Sequence, residues 1–390
     1  MNSKIIVIII AAILVVAGVG AYFLLQDKDK EINILAGVNT EGSGIYIDDK
    51  YDVGDMFDAA GQPIPSGWEG KVFGTPGIST IQHVQILQIV EGMGMGFAAY
   101  TIGGNNYAEG TVYFIANIPN AAAALNDDYI DGGILWQPQY QKIVEDKTQK
   151  RDFKELALTS DLFPGHACCV IAGYHGYTST HEDETVRFLA AYIKAVDWVN
   201  GALADKGGDD YALLVSVAKD RTGSTFTDSE IEAALDTVIY TYGQNSGTPL
   251  AYLMDQIPAL AEDLVALEAT KKTLADSGFS SGAEFADRFI DDSFLVKALQ
   301  LLASGGTYEN KASLKVAVIA GDVHQIAIHM ADELGYFGEY GLDVSFSNAT
   351  NGPGVATAIQ NGEASFGLLG APPITITVIN GELVKAQQDE

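Results

Sequence analysis

Short apolar, β-branched runs alternate with helical patterns along most of this 390-residue chain, and that alternation restricts the fold more than any other feature of the sequence. The runs INILAGV (32–38), KVFG (71–74), TVYFIAN (111–117), GGILW (132–136), LALTS (156–160) and CCVIAGY (168–174) have the composition of strands. Helices or loops long enough for crossovers separate them, so the spacing predicts an α/β fold with parallel sheets. Between 184 and 303 the period changes: ETVRFLAAYIKAVDWVNGAL, DYALLVSVAKDRT, DSEIEAALDTVIY, PLAYLMDQIPALAEDLVALEAT and SFLVKALQLLAS carry apolar residues at helical spacing. The polar stretch ASGGTYENKAS (303–313) reads as a linker. Beyond it the alternation resumes with LKVAVIAG, a helix from about His324 to Leu334, LDVSFSN, a second helix near 353–361, and ASFGLLG.

The two α/β stretches repeat each other. VSFSNATNGPGVATAIQNGEASFGLLGAPP runs strand, Asn loop, helix, acidic turn, strand, Gly/Pro loop, and VYFIANIPNAAAALNDDYIDGGILWQP runs through the same elements. Each has an upstream strand that ends in a polar Gly loop before a helix, VAVIAGDVHQ and KVFGTPGISTIQ. Two similar lobes facing each other are expected, which suits a chain too long for one small core.

The charge balance narrows the partners. Fifty-one acidic against 22 basic side chains give a formal charge of −29, which repels phosphate backbones and anionic headgroups. Hydrophobic residues make up 47% and charged ones only 19%, so the chain is a folded one with an acidic skin. Ile5 to Leu25 carries no charge and as a helix spans roughly 31 Å, the thickness of a bilayer core. Lys4 ahead of it favours a cytoplasmic N-terminus and an extracytoplasmic bulk. A cleaved signal peptide is the competing reading, since Val19 and Ala21 offer a small-residue site, although the apolar run exceeds a usual signal core. The only cysteines, Cys168 and Cys169, exclude a disulfide framework. Neighbours on a strand point to opposite faces, so these thiols are expected as buried strand residues that do not converge on a metal.

At this point the residues carry a family resemblance. GDVHQIAIHMADELGYFGEYGLDVSF, SFGLLGAPP, AGVNTEGSG, GKVFGTPGISTIQ, ILWQPQ and FPGHACCVIAG resemble successive motifs of the nitrate/sulfonate/thiamine-precursor class of ABC-transporter substrate-binding proteins. The resemblance covers most of residues 32–390 and implies a two-lobed type II periplasmic-binding-protein-like fold, here with an added helical block and an N-terminal transmembrane helix. The motif order departs from that class. The segment like LKVAVIAGDVHQ opens those proteins but sits here at 314–325, and VINGEL, which there runs into INILAGVNTEGSG, lies close to the C-terminus. A circular permutation is expected, with 304–313 joining the usual termini; the other arrangement is two incomplete copies. The implied division is an anchor at 1–26, lobe I at 31–69, lobe II at 70–168, a return to lobe I with the helical block at 169–303, and the first part of the lobe I sheet at 314–390. Hinges are expected near 68–71 and 168–175.

In an open α/β sheet, ligands gather beyond the carboxyl ends of strands, where loops lead into helix N-termini. The matching loops supply Asp322, His324 and Gln325; Gly370 and Ala371; Asn39 and Thr40; Thr75, Ser79 and Thr80; Trp136 and Gln137; and His166. Apart from Lys71 at the base of one loop they carry no Lys or Arg, so an oxyanion would be held by helix N-termini, while Trp136 and Gln137 with the two histidines would equally suit a flat heterocycle. Other features have structural explanations. His329, Asp332 and Glu333 fit an exposed amphipathic face, HEDE (181–184) a helix start with favourable acids, and Met93 and Met95 a flexible loop. The expected function is the solute-binding component of an ABC importer, not an enzyme, needing no cofactor, with a membrane permease as partner and no nucleic acid. The alternatives are an iron-dependent enzyme like the thiamine-pyrimidine synthases, whose third Cys is missing here, or a tethered sensor.

Overall fold

The computed structural model describes residues 32–381, apart from 106, 148–150, 224, 245–247, 307 and 309–310. The expected membrane segment lies outside the described residues, among which no helix is long and apolar enough to cross a membrane.

Among the described residues, twelve strands form two six-stranded sheets. They are β1 (Ile32–Glu41), β2 (Ser43–Asp48), β3 (Val72–Gly74), β4 (Gly96–Ala99), β5 (Thr111–Ile115), β6 (Gly132–Trp136), β7 (Phe153–Leu158), β8 (Ala167–Tyr174), β9 (Val238–Tyr240), β10 (Ala312–Ile319), β11 (Leu342–Ala349) and β12 (Phe366–Gly370). The first sheet is ordered β11-β10-β12-β8-β1-β9 and the second β4-β5-β3-β6-β2-β7. The repeat is visible in both. In β11-β10-β12 and in β5-β3-β6 the first strand of the unit lies between the second and third, all parallel, and an antiparallel strand follows, β8 in one lobe and β2 in the other.

The sheets are therefore mixed, where parallel sheets were expected, and the reason is the path between lobes. β1 runs out of the first sheet through Gly42 directly into β2 of the second, and β7 returns through 159–166 into β8. A strand that enters its lobe from the other lobe must run opposite to the βα strands, whose carboxyl ends point at the gap. The same path moves the lobe boundary. Residues 43–69 belong to the second lobe, because Ile45 and Ile47 of β2 bury themselves with Met56, Trp68 and Phe73 in its core. The crossings thus lie at Gly42 and between Leu158 and Ala167, and the expected hinge at 68–71 is interior to one lobe. Ile32 pairs with Tyr174 and Phe366 with Gly173, so the first described residue and the last strand flank β8 at one end of one sheet. Ala386, whose distance from Ile32 would test the permutation, lies outside the described residues.

The helical block covers the first sheet. Its long helix at Glu182–Ala204 opens on Glu182, Asp183 and Glu184, acids that favour a helix N-terminus, and buries Phe188, Leu189, Tyr192 and Val196. The helix at Asp228–Asp236 starts with a capping box between Thr227 and Glu230. In the second lobe, helix α1 (Ile81–Gly92) buries His83, whose ring lies 4.7 Å from Phe114 and whose Nδ1 is 3.0 Å from Thr75 Oγ1.

Burial lowers His83 to about 4, so it is neutral in the fold. The unfolded chain, with a histidine near 6.5, takes up the proton first, so stability from this site is complete above pH 6.5 and is lost as pH falls toward 4. The loss amounts to about 3 kcal/mol. Denaturant titrations between pH 7 and 4 should show a shallower decline for His83→Gln than for the parent; identical slopes would contradict a buried neutral His83.

Candidate functional site

A cavity of about 450 Å³ lies between the lobes. Most of its wall is made of loops at the carboxyl ends of parallel strands. The first lobe contributes Ile319, Asp322 and His324 after β10, Thr350 to Pro353 after β11, and Gly370 and Pro373 after β12. The second contributes Pro76 to Gln82 after β3, Asn117 and Pro119 after β5, and Trp136 at the end of β6. Cys168 and Cys169, at the start of β8, complete the lining. Three helix N-termini meet there, those of α1, of the helix at Gly352–Gln360 and of the helix at Ala371–Asn380. Their donors are not equivalent. Pro353, Pro372 and Pro373 remove N–H groups from the latter two, and Asn351 accepts from Gly354 N–H, so α1 offers the fullest set at Ile81 and Gln82. Among the described residues, no Lys or Arg lines the cavity.

The crossing beside the cavity is pinned by buried polar groups. His324 Nδ1 lies 3.0 Å from Asp322 Oδ1 and Nε2 lies 2.8 Å from the Gly42 carbonyl. Burial opposes charge on this ring, but the Asp322 carboxylate prevails, with the nearby Cys168 and Gly42 carbonyl adding to it, and its pKa is raised to about 9. His324 therefore donates from both nitrogens at neutral pH and ties the first lobe to the crossing strand. The second crossing is tied to the first: Gly165 N–H donates to Glu41 Oε1, Glu41 N–H meets the His166 carbonyl at 3.4 Å, and His166 Nδ1, 2.9 Å from the Phe163 carbonyl, lies 3.2 Å from Glu41 Oε2. Burial works against charge on His166 and Glu41 outweighs it, so His166 is shifted upward. Farther out, Gln137 Nε2 donates to Thr237 Oγ1 at 3.0 Å, Lys142 pairs with Glu230 at 3.2 Å, and Gln88 Nε2 donates to Asp263 at 2.9 Å, each across the gap.

Of the residues expected at the site, Asp322, His324, Gly370, Ser79, Thr80 and Trp136 line the cavity. The others do not, and each is occupied elsewhere. Gln325 holds Ile319 N–H and the Leu368 carbonyl, Thr75 holds His83, Gln137 holds Thr237, and His166 holds Glu41. Asn39 bonds the Glu41 carbonyl and Cys169 N–H, Thr40 pairs with Ile239 in the sheet, and Ala371 is the buried first residue of its helix. Gln82, Asn117, Thr350 to Pro353 and the cysteines were not foreseen. NATNGPG has the same strand-to-helix character as GTPGIST and could have been chosen on that ground.

Two expectations about other residues are corrected. His329 is buried 5.1 Å from Phe346 rather than on an exposed face. The adjacent thiols do converge, with their sulfurs 3.8 Å apart. Against β1 the register slips between Asn39↔Cys169 and Thr40↔Ala167, a bulge that leaves Cys168 unpaired and turns it to the side of Cys169. The hydrogen bond between the two thiols lowers Cys168 against burial, and the same bond together with burial pushes Cys169 up.

A family model described as NMT1/THI5 like matches residues 323–386. No curated protein matches the chain. Among solved structures, it is similar to the periplasmic nitrate-binding protein NrtA from Synechocystis PCC 6803, at 15% identity and a TM-score of 0.48 over 71% of this chain and 69% of that one. It is also similar to the ligand-binding component of an ABC-type import system from Staphylococcus aureus with zinc bound, at 12% identity and a TM-score of 0.42 over 70% of this chain and 76% of that one.

Gly42 has a φ of +88°, and a Cβ there would stand 2.3 Å from His324 Nε2. Gly42→Ala should displace His324 and cost about 1–3 kcal/mol in denaturant unfolding. Unchanged stability would show that the crossing is not pinned in this way.

Proposed function

We propose that this chain is the extracytoplasmic solute-binding component of an ABC importer, which closes two lobes on a small organic solute with an oxyanion head and delivers it to a membrane permease. One observation carries the reading: the cavity is walled by three strand-end loops from each of two repeated lobes, so a solute held there touches both and stabilises their closed arrangement. The match of residues 323–386 to the NMT1/THI5-like model supports it.

The chemistry of the wall supports an uncharged cradle. Ser79 and the first N–H groups of α1 face an oxyanion, which the helix end favours by its partial positive charge, while the Thr80 hydroxyl donates to the Gly77 carbonyl and Gln82 Nε2 to Ser43 Oγ. Ile78, Ile81, Ile319 and Trp136 supply an apolar remainder, and about 450 Å³ is far more than a lone nitrate fills. A sulfonate or carboxylate with an apolar body fits this division better than a multiply charged ion, because no Lys or Arg lines the wall. His324 contributes position rather than a free donor, since both its nitrogens are engaged.

A thermal-shift panel of alkyl and aryl sulfonates, carboxylates, nitrate and pyrimidines on the full chain tests the reading, because a solute that binds only the folded state raises the midpoint. Organic sulfonates or carboxylates should raise it, and Trp136→Ala should weaken the effective compound at least tenfold by calorimetry. A panel with no shift at millimolar solute would overturn the proposal, and a shift by pyrimidines alone would replace the oxyanion with a heterocycle.

A further inference from the structure

We propose that Cys168, Cys169 and His324 form a binding site for a borderline-soft cation of the Zn²⁺ type on the floor of the interlobe cavity, with an open coordination position toward the cavity. The ligand atoms of the three residues lie within 4.8 Å of one another, and all three residues are buried. Two thiolates about 2.3 Å from a tetrahedral ion stand about 3.8 Å apart, and the two sulfurs here are separated by 3.8 Å. The bulge in β8 produces that spacing without any rearrangement of the sheet.

The surroundings complete the arrangement. A ligating histidine usually gives its other N–H to a carboxylate, which fixes the tautomer and the ring plane. Asp322 does this for His324 at Nδ1, at 3.0 Å, and Asp322 is itself held by Gln325 Nε2 at 3.3 Å. Nε2 exchanges the Gly42 carbonyl for the ion, so loading releases this one contact of the first crossing, and the Nε2 and thiol protons leave to solvent. Adjacent Cα atoms across a trans peptide are about 3.8 Å apart, short of the usual range for a disulfide, so the pair is poorly suited to oxidation to one. Two sulfurs and one nitrogen suit a zinc-like ion and disfavour magnesium or calcium. Three protein ligands leave a fourth position, and all three residues line the cavity.

The site stands independently of the transport reading and is tested without any solute. Equilibrium dialysis of the reduced full chain against Zn²⁺ should load one ion per chain. Cys168→Ser, Cys169→Ser and His324→Gln should each lower affinity at least hundredfold. Asp322→Asn should lower it roughly tenfold to hundredfold, and the exposed His181→Gln should leave it unchanged. Co²⁺ in place of Zn²⁺ should give a thiolate-to-cobalt charge-transfer band that either serine variant abolishes. On the unmutated chain, Zn²⁺ should slow alkylation of both thiols and a chelator should restore it, a readout that needs no variant to fold. Zn²⁺ that leaves both thiols equally reactive, or Co²⁺ loading with no charge-transfer band, would overturn the proposal.

Discussion

The double passage of the chain between lobes, at Gly42 and at 159–166, is the constraint on which the rest depends. Strands that serve two lobes must enter one of them from the gap, so each sheet is mixed and the carboxyl ends of its parallel strands face the other lobe. The cavity follows from that geometry. Holding it also falls to the crossing: His324 bonds the Gly42 carbonyl while Asp322 balances its charge, and Glu41 ties the outgoing strand to His166 on the return. These are buried charged and polar groups with specific partners, so removing one partner costs more than the pair contributes, and the arrangement is kept as a unit.

Electrostatics separate the surface from the cavity. The formal charge of −29 lies on a chain whose cavity wall holds Asp322, paired with His324, and otherwise uncharged groups. An anionic solute entering such a cleft gains from helix N-termini and hydroxyls close at hand and loses to the distant acidic skin, which salt screens beyond about 10 Å. Short-range donors therefore decide what is held, and the skin keeps the chain soluble and away from other polyanions.

Much of the fold was legible because it is local. Period and composition located β1, β3, β5, β6, β8 and the long helices, and the repeated order of elements showed two lobes before any contact was seen. What stayed hidden depends on partners. SGIYID has too short an apolar pattern to announce β2, and without β2 the boundary moved to residue 69. VIY at β9 continued a helical run until its pairing with β1 made it a strand. Loops that end in Gly, Pro and hydroxyls gave Ser79, Thr80, Gly370 and Asp322, which line the cavity. Thr75, Gln325 and Asn39 lie outside the lining, because their side chains turn inward to bonds that no spacing reveals. The cysteines were misjudged for the same reason, since strand alternation holds only where the register does, and a bulge is set by the neighbouring strand.

Amide hydrogen exchange of the full chain, with and without whichever sulfonate or carboxylate most raises its thermal midpoint, tests the central claim that a solute is trapped between two lobes. The account predicts that protection rises together at 75–82 in one lobe, at 350–354 in the other and at 41–43 between them. Protection confined to the loops of a single lobe, with the crossing unchanged, would contradict it.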